Sequence, residues 1–274
     1  MLTTRILTAA ALVPLVLAGL FLLPPRSWGL AATLVIAIGA WEWATLTALR
    51  GMLRAGFVVV TVATALALLW LPAFRFDAGW PTPVVVVVCG AATAFWLAVV
   101  PFWLRGQWHM RSAFAAAAVG WLVLVATWVA IVAMQAQSPW RVLAAMAVVW
   151  IADTAAYFSG RTFGRHKLAP AISPGKTWEG VAGALAAVAL YATLLVAWSP
   201  GALATALPVA GWVLLAVAVA GISVCGDLFE SLMKRQAGVK DSGRILPGHG
   251  GVLDRIDALL AAMPPFAVAA VLLA

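Results

Sequence analysis

The chain is divided into about nine apolar runs of roughly 20 residues, the length an α-helix needs to cross the hydrocarbon core of a bilayer. They cover approximately residues 5–23, 27–49, 56–72, 83–104, 111–134, 141–160, 178–198, 204–226 and 255–273. Segments this long and this poor in charge leave little choice of fold. The bilayer offers no water to an exposed N–H or C=O, so each run must satisfy its own backbone as a helix. The expectation is an all-α polytopic integral membrane protein, with about nine transmembrane helices joined by polar loops. With 65% hydrophobic and 9% charged residues, the chain is far from a soluble domain, in which about a quarter of residues are charged. The third run is short and reads as tilted or partly re-entrant, and Pro72 to Pro83, with Arg75, Asp77 and Trp80, reads as an exposed loop.

Charge tests the count. If the runs alternate in direction, all but three of the 17 Lys and Arg residues fall on the side of the N-terminus; only Arg26, Arg75 and Arg141 fall opposite. The positive-inside rule then puts the N-terminus and the loop after the eighth run in the cytoplasm and the C-terminus outside, in a bacterial-type inner (plasma) membrane. The run after Arg5 has no persuasive cleavage site before Pro24 and is read as the first membrane helix. Trp28, Trp41, Trp70, Trp80, Trp103, Trp108, Trp140, Trp178 and Trp198 lie near proposed helix ends, as interfacial anchors do. The net charge of +8 suits anionic lipid and phosphate ligands better than nucleic acid, because the basic residues lie in short loops and form no soluble face. Cys89 and Cys225 are inside apolar runs without metal or disulfide spacing.

Residues 1–140, about five runs, carry little chemistry. Their one intramembrane acid, Glu42 between Trp41 and Trp43, is read as a structural contact inside the bundle. The Ala115–Gly120 stretch suits close helix packing. Residues 141–274, about four runs, carry the chemistry in three polar clusters. One runs from Asp153 through Tyr157 and Arg161 to Lys167; the second is Ser173-Pro-Gly-Lys176-Thr-Trp-Glu-Gly180; the third begins at Asp227 and continues to Asp257.

The third cluster gathers Lys234, Arg235, Lys240, Asp241, Arg244, Asp254, Arg255 and Asp257 around several glycines. Lys and Arg supply donors for phosphate oxygens, and carboxylates hold hard cations such as Mg²⁺. Gly248, Gly250 and Gly251 let the backbone approach a ligand closely. If the eighth helix continues past the membrane surface, Asp227, Glu230, Ser231 and Lys234 share one face at i, i+3, i+4 and i+7. Glu230 is as well explained by a pair with Lys234 as by chemistry, whereas Asp227 has no local cation and is the stronger candidate metal ligand. Asp254, after the glycine turn, is the second; Asp257 is read as a support for Arg255. Helix capping accounts equally for either aspartate. Ser173 to Thr177 lacks the first glycine of a P-loop, so Ser173 is read as a helix-capping residue and Lys176 as a phosphate or headgroup contact. The three histidines have no zinc spacing.

The order Ser231, Lys234, Arg235, Lys240, Asp241, Gly243, Pro247, His249, Gly250, Gly251, Asp254, Arg255, Asp257 resembles the signature of the phosphatidate cytidylyltransferases, the CDP-diacylglycerol synthases. Asp153 to Gly164 and Ser173 to Gly180 also look like this family, with Ala155 and Gly175 as small departures. The resemblance is concentrated in residues 150–260. It implies conversion of CTP and phosphatidate to CDP-diacylglycerol and diphosphate with Mg²⁺, a second cation being left open, and a homodimer in contact with bilayer lipid. On that footing Asp227 and Asp254 are expected to hold the metal. Lys234, Arg235, Lys240 and Arg255 are expected on phosphates, with Asp241 and His249 positioning. Ser231, Ser173, Lys176, Gly250, Gly251 and Asp257 are expected to line the substrate site. A transferase acting on another membrane lipid phosphate and a cation or lipid transporter are the rival readings; the latter leaves the basic glycine loop unexplained.

Overall fold

The computed structural model describes residues 2–70, 82–198 and 208–273, with side chains from residue 7 onward. Its helices are α1 (Leu2–Leu22), α2 (Pro25–Leu46), α3 (Gly51–Trp70), α4 (Thr82–Ala94), α5 (Val100–Gly106), α6 (Ala113–Gln137), α7 (Pro139–Phe163), α8 (Trp178–Trp198), α9 (Val209–Gln236) and α10 (Leu253–Leu272). A π-helical turn, Phe95–Val99, joins α4 and α5 into one rod, Thr82–Gly106. Pro101 has no N–H to donate to the preceding turn, and the backbone widens there.

Among the described residues eight rods are long and apolar enough to cross a membrane, and α1 is a further apolar helix of 21 residues. The third run is a full 20-residue helix. The exposed-loop reading of Pro72 to Pro83 falls mostly outside the described residues. Trp41, Trp70, Trp108, Trp140, Trp178 and Trp198 are exposed as anchors should be, but Trp28 and Trp103 are buried; Trp80 lies outside the described residues.

α6 and α10 form the centre, with 67% and 61% of their spans buried, against 22% for α3 and α8. An element apolar all round belongs inside or in lipid, and α6 is of that kind. Polar groups of α6 find partners across the bundle: Trp128 Nε1 donates to Gly29 O and Thr33 Oγ1 at 3.1 and 3.0 Å, and Gln135 Nε2 to Leu23 O at 3.0 Å. Trp43 of α2 lies over Gly120, its indole N–H donating to Ala116 O at 2.9 Å, so Ala115–Gly120 is a packing stretch as expected.

α9 meets α10 where Gly226 faces Asp257; a Cβ there would stand 2.7 Å from Asp257 O and 2.8 Å from Ala261 Cβ. Gly226→Ala is therefore expected to force the helices apart at a cost of about 1–3 kcal/mol. A thermal melt in detergent, followed by size-exclusion fluorescence, checks this; an unchanged midpoint would mean that the crossing is looser than described.

The links at one end of the bundle lie together. Gln236 Nε2 donates to Trp108 O, Arg235 Nε to Ile172 O, and Thr8 Oγ1 to Pro247 O. Two short strands, β1 (Lys167–Ala169) and β2 (Ser173–Thr177), pair antiparallel between α7 and α8. This hairpin corrects the capping role expected of Ser173, which opens β2. The α8 cap is Thr177, whose Oγ1 accepts from Gly180 N at 3.1 Å. Ser-Pro-Gly is equally a turn and a cap in sequence, and only the partner strand separates the two.

Candidate active site

α9 does run past its apolar stretch, to Gln236, and ends in a Schellman arrangement: Val239 N bonds Lys234 O at 2.9 Å and Gly238 N bonds Arg235 O at 3.1 Å. Gly238 takes the left-handed conformation this stop requires, at φ +71°. The loop so released, residues 239–252, closes on itself through a bridge between Leu246 and Gly250 and is tied to the start of α10 by Asp254.

Asp254, in the first turn of α10, organises this loop. Its Oδ2 accepts from Ser242 N and Gly251 N at 2.8 Å and from Ser242 Oγ at 3.0 Å, while Oδ1 accepts from Lys234 Nζ at 2.6 Å. Gly250 makes room for it: at φ +85°, a Cβ would stand 2.6 Å from Asp254 Oδ2. The aspartate thus joins α9, α10 and the loop through one carboxylate.

Asp227, seven residues before Lys234 on α9 and so about two turns below it, has its own ammonium. Lys176 Nζ, at the end of β2, stands 2.5 Å from Asp227 Oδ2, and Ser231 Oγ donates to Oδ1 at 3.3 Å. The two expected metal ligands therefore each hold a lysine. Between them lie Glu230 and Asp257, whose carboxyls adjoin; Asp257 in turn feels the charge of Asp227. Glu230 is 4% exposed, and neither of its oxygens has a hydrogen-bond partner. Lys234 Nζ lies 3.5 Å from Oε1, which is ion-pair distance but too long for a good hydrogen bond. Among the described residues no three acidic, His or Cys side chains close on a single point as metal ligands. What the seam does offer is the buried Glu230 carboxyl, beside that of Asp257 and 3.5 Å from Lys234, and oxygen donors of this kind are the ones a hard divalent ion takes.

A cavity opens on each side of this seam. The first, about 680 Å³, is lined by Lys240, Asp241, Arg244, Pro247, His249 and Arg255 of the loop and α10. No ion pair engages Lys240, Arg244 or Arg255 among the described residues, and His249 Nδ1 is buried without a partner. Three cations free of ion pairs beside a glycine-rich backbone are groups able to meet an anion, with the Asp241 carboxylate among them. The second, about 410 Å³, lies between α7, β2, α8 and α9 and is lined by Asp153, Tyr157, Arg161, Ser173, Lys176 and Asp227. Tyr157 of its lining is exposed, and the exposed Phe158 and Trp178 directly follow its lining residues Tyr157 and Thr177 in the chain. The cavity exists because α7 and α8 touch through Gly160 and Gly180, where a Cβ on Gly160 would meet Gly180 Cα at 3.6 Å and Thr177 Oγ1 at 2.9 Å.

The expected site residues thus divide between two cavities and one seam. Lys240, Asp241, His249, Gly250 and Arg255 line the first cavity; Ser173, Lys176 and Asp227 the second; Ser231, Lys234, Asp254 and Asp257 fall along the seam. Arg235 lines neither and is bonded to Ile172 O at 3.4 Å. Asp257 adjoins Glu230, and among the described residues no ion pair joins it to Arg255. Asp153 and Arg161 had no role in the expected site. Their signal was present in the i, i+4, i+8 spacing of Asp153, Tyr157 and Arg161, which puts all three on one face of α7, where Arg161 Nη1 donates to Tyr157 OH at 3.0 Å.

A helical membrane bundle with basic side chains, buried acids and cavities at one end has the make-up of a membrane protein suited to phosphorylated ligands. The chain belongs to the Cytidylyltransferase family, which it matches over residues 3–273. It is 42% identical over 277 residues to a phosphatidate cytidylyltransferase of Pseudomonas aeruginosa, covering 97% of this chain and 96% of that protein. It is 36% identical over 281 residues to one of Haemophilus influenzae, covering 97% of each. Over 122 residues, 42% of the chain and 41% of the relative, it is 55% identical to one of Brucella suis.

Proposed function

We propose that the protein transfers the cytidylyl group of CTP to phosphatidate, giving CDP-diacylglycerol and diphosphate. The observation that carries this is the pair of cavities on one carboxylate seam, one rich in cations free of ion pairs and one with the exposed Tyr157 in its lining. The triphosphate of CTP takes the loop cavity, where Lys240, Arg244, Arg255 and His249 meet its oxygens. The lipid phosphate takes the cavity of Lys176, Arg161 and Ser173, with its acyl chains leaving past Tyr157, Phe158 and Trp178. A lipid phosphate oxygen then attacks the α-phosphorus in line and diphosphate leaves toward the loop, with no covalent enzyme intermediate. Basic side chains stabilise the growing charge on the leaving group.

Asp227 and Asp254 are the proposed holders of Mg²⁺, with Glu230 and Asp257 beside them. The ion when bound neutralises phosphate charge and lowers the repulsion between the two anionic substrates. Lys176 and Lys234, paired with these two aspartates, would turn to the substrates' oxygens when the ion takes the carboxylates. In the cell the loop end faces the cytoplasm, the source of CTP, with the N-terminus on the same side.

The reading is tested with purified protein in detergent, phosphatidate and each of the four nucleoside triphosphates. Diphosphate release is expected only with CTP, lipid and Mg²⁺ together. Chelation is expected to reduce it to background and added Mg²⁺ to restore it. Release with another lipid phosphate in place of phosphatidate would redirect the acceptor, and no release from folded protein with any combination would overturn the reading.

A further inference from the structure

The acid in the first half of the chain lies at the opposite end of the sequence from the glycine loop, yet it holds that loop. Glu42 of α2 is 2% exposed. Its Oε1 accepts from Val252 N at 3.0 Å, and its Oε2 accepts from Leu253 N at 2.8 Å and from Ser242 Oγ at 3.0 Å. The first two donors belong to the start of α10, whose free N–H groups need acceptors. No side chain of the local sequence caps them. A residue about 210 positions away does so instead. Gly243 and Gly251 both press on the Glu42 carboxylate, where a Cβ would stand 2.3 Å and 2.5 Å from Oε1. Loop and acid are thus fitted to one another on three sides.

We propose that Glu42 is a positioning residue for the nucleotide: it fixes the loop over Asp254, and with it Lys240, Arg244 and His249. The link is the Ser242 hydroxyl, which lies 3.0 Å from both Glu42 Oε2 and Asp254 Oδ2. Its single proton serves one carboxylate at a time, while Asp254 Oδ2 keeps the N–H groups of Ser242 and Gly251. Loop closure therefore rests on both acids together. Glu42 lines neither cavity, so its effect passes through the loop.

The proposal rests on the reading above only for the identity of the ligand as CTP. In the full chain in detergent, Glu42→Gln turns one acceptor oxygen into an NH₂ that faces donors. KM for CTP is expected to rise by about tenfold or more, the scale of losing charge-assisted bonds in a buried place. KM for phosphatidate is expected to stay within about twofold, because the second cavity shares no residue with the clamp. Trypsin cleavage after Lys240 and Arg244 is expected to accelerate, and Glu42→Asp to recover part of both effects. A well-folded Glu42→Gln protein with unchanged KM for CTP and unchanged cleavage, or with both KM values raised alike, would overturn the proposal. Should that variant fail to fold, Ser242→Ala removes only the bridging hydroxyl. It is expected to raise KM for CTP about threefold or more with faster cleavage, and no change in either would count equally against the clamp. Absence of CTP turnover in the unaltered protein would sink the functional reading instead. The cleavage comparison would then decide the clamp by itself, unchanged cutting overturning it and faster cutting supporting it.

Discussion

Asp254→Asn is expected to lower turnover by about a thousandfold or more, the scale on which a preorganised electrostatic group acts. The carboxylate accepts four hydrogen bonds, one from Lys234 and three from the loop. An amide can replace one oxygen as acceptor but turns a donor toward the partner of the other, and it removes the charge that holds Lys234. Left with Glu230 at 3.5 Å, the ammonium loses its close partner, and the seam loses one of the two carboxylates proposed to hold Mg²⁺. Diphosphate release from protein of matched thermal midpoint is the measurement. Asp227→Asn, which frees Lys176 but leaves the loop bonds intact, separates the causes. If both variants lose turnover similarly while only Asp254→Asn loosens the loop to trypsin, the shared loss belongs to the metal site. Full turnover in either folded variant would remove that residue from the proposed ligand set.

Gly251→Ala carries the second large effect, about a hundredfold loss in kcat/KM for CTP. The cause is space, since Gly251 is not in the left-handed region. An added methyl would lie 2.3 Å from Ser242 Oγ and 2.5 Å from both oxygens of Glu42, with no flexible chain end to give way. Ser242 is locked by Asp254, and Glu42 by the start of α10. Overpacking of this kind costs about 1–3 kcal/mol, the upper end of which corresponds to about a hundredfold if the strain is relieved by opening the loop. The expected signature is a raised KM for CTP with helix content and the melting midpoint of the bundle little changed. A lower midpoint with normal kinetics would mean that the strain spreads into α10 instead.

Much of the helical architecture was legible because each run must close its own backbone hydrogen bonds in lipid. α8 begins at Trp178 and ends at Trp198, where the apolar run does, and α9 carries Asp227, Glu230, Ser231 and Lys234 along one face as spacing required. Less was legible where two periodicities fit the same letters. Ser173 to Thr177 satisfied a cap as well as a strand, and the π-turn before Pro101 leaves no mark in hydropathy.

The site divides along the same line. That the loop gathers cations, carboxylates and glycines was readable from residue types crowded into one polar stretch, but which of them pair with one another, as Lys234 does with Asp254, was not. Glu42 read as an interior contact and is one, but which groups it contacts was not readable.

What the sequence determined by itself is local: the run lengths that make helices, the charge that gathers at one end, and the residue types able to meet phosphate and a hard cation. What only the tertiary structure decided is partnership. Lys176 reaches Asp227 because α7 and α8 close through Gly160 and Gly180 and carry β2 against α9. Asp257 reaches Glu230 because Gly226 admits α10. Glu42 reaches Leu253 because α2 packs on α6 in the same layer as α10. Backbone satisfaction in a bilayer acts within a segment and is written in its composition. The meeting of charged groups depends on which small residues let two helices approach, and that is settled only when all the helices are packed together.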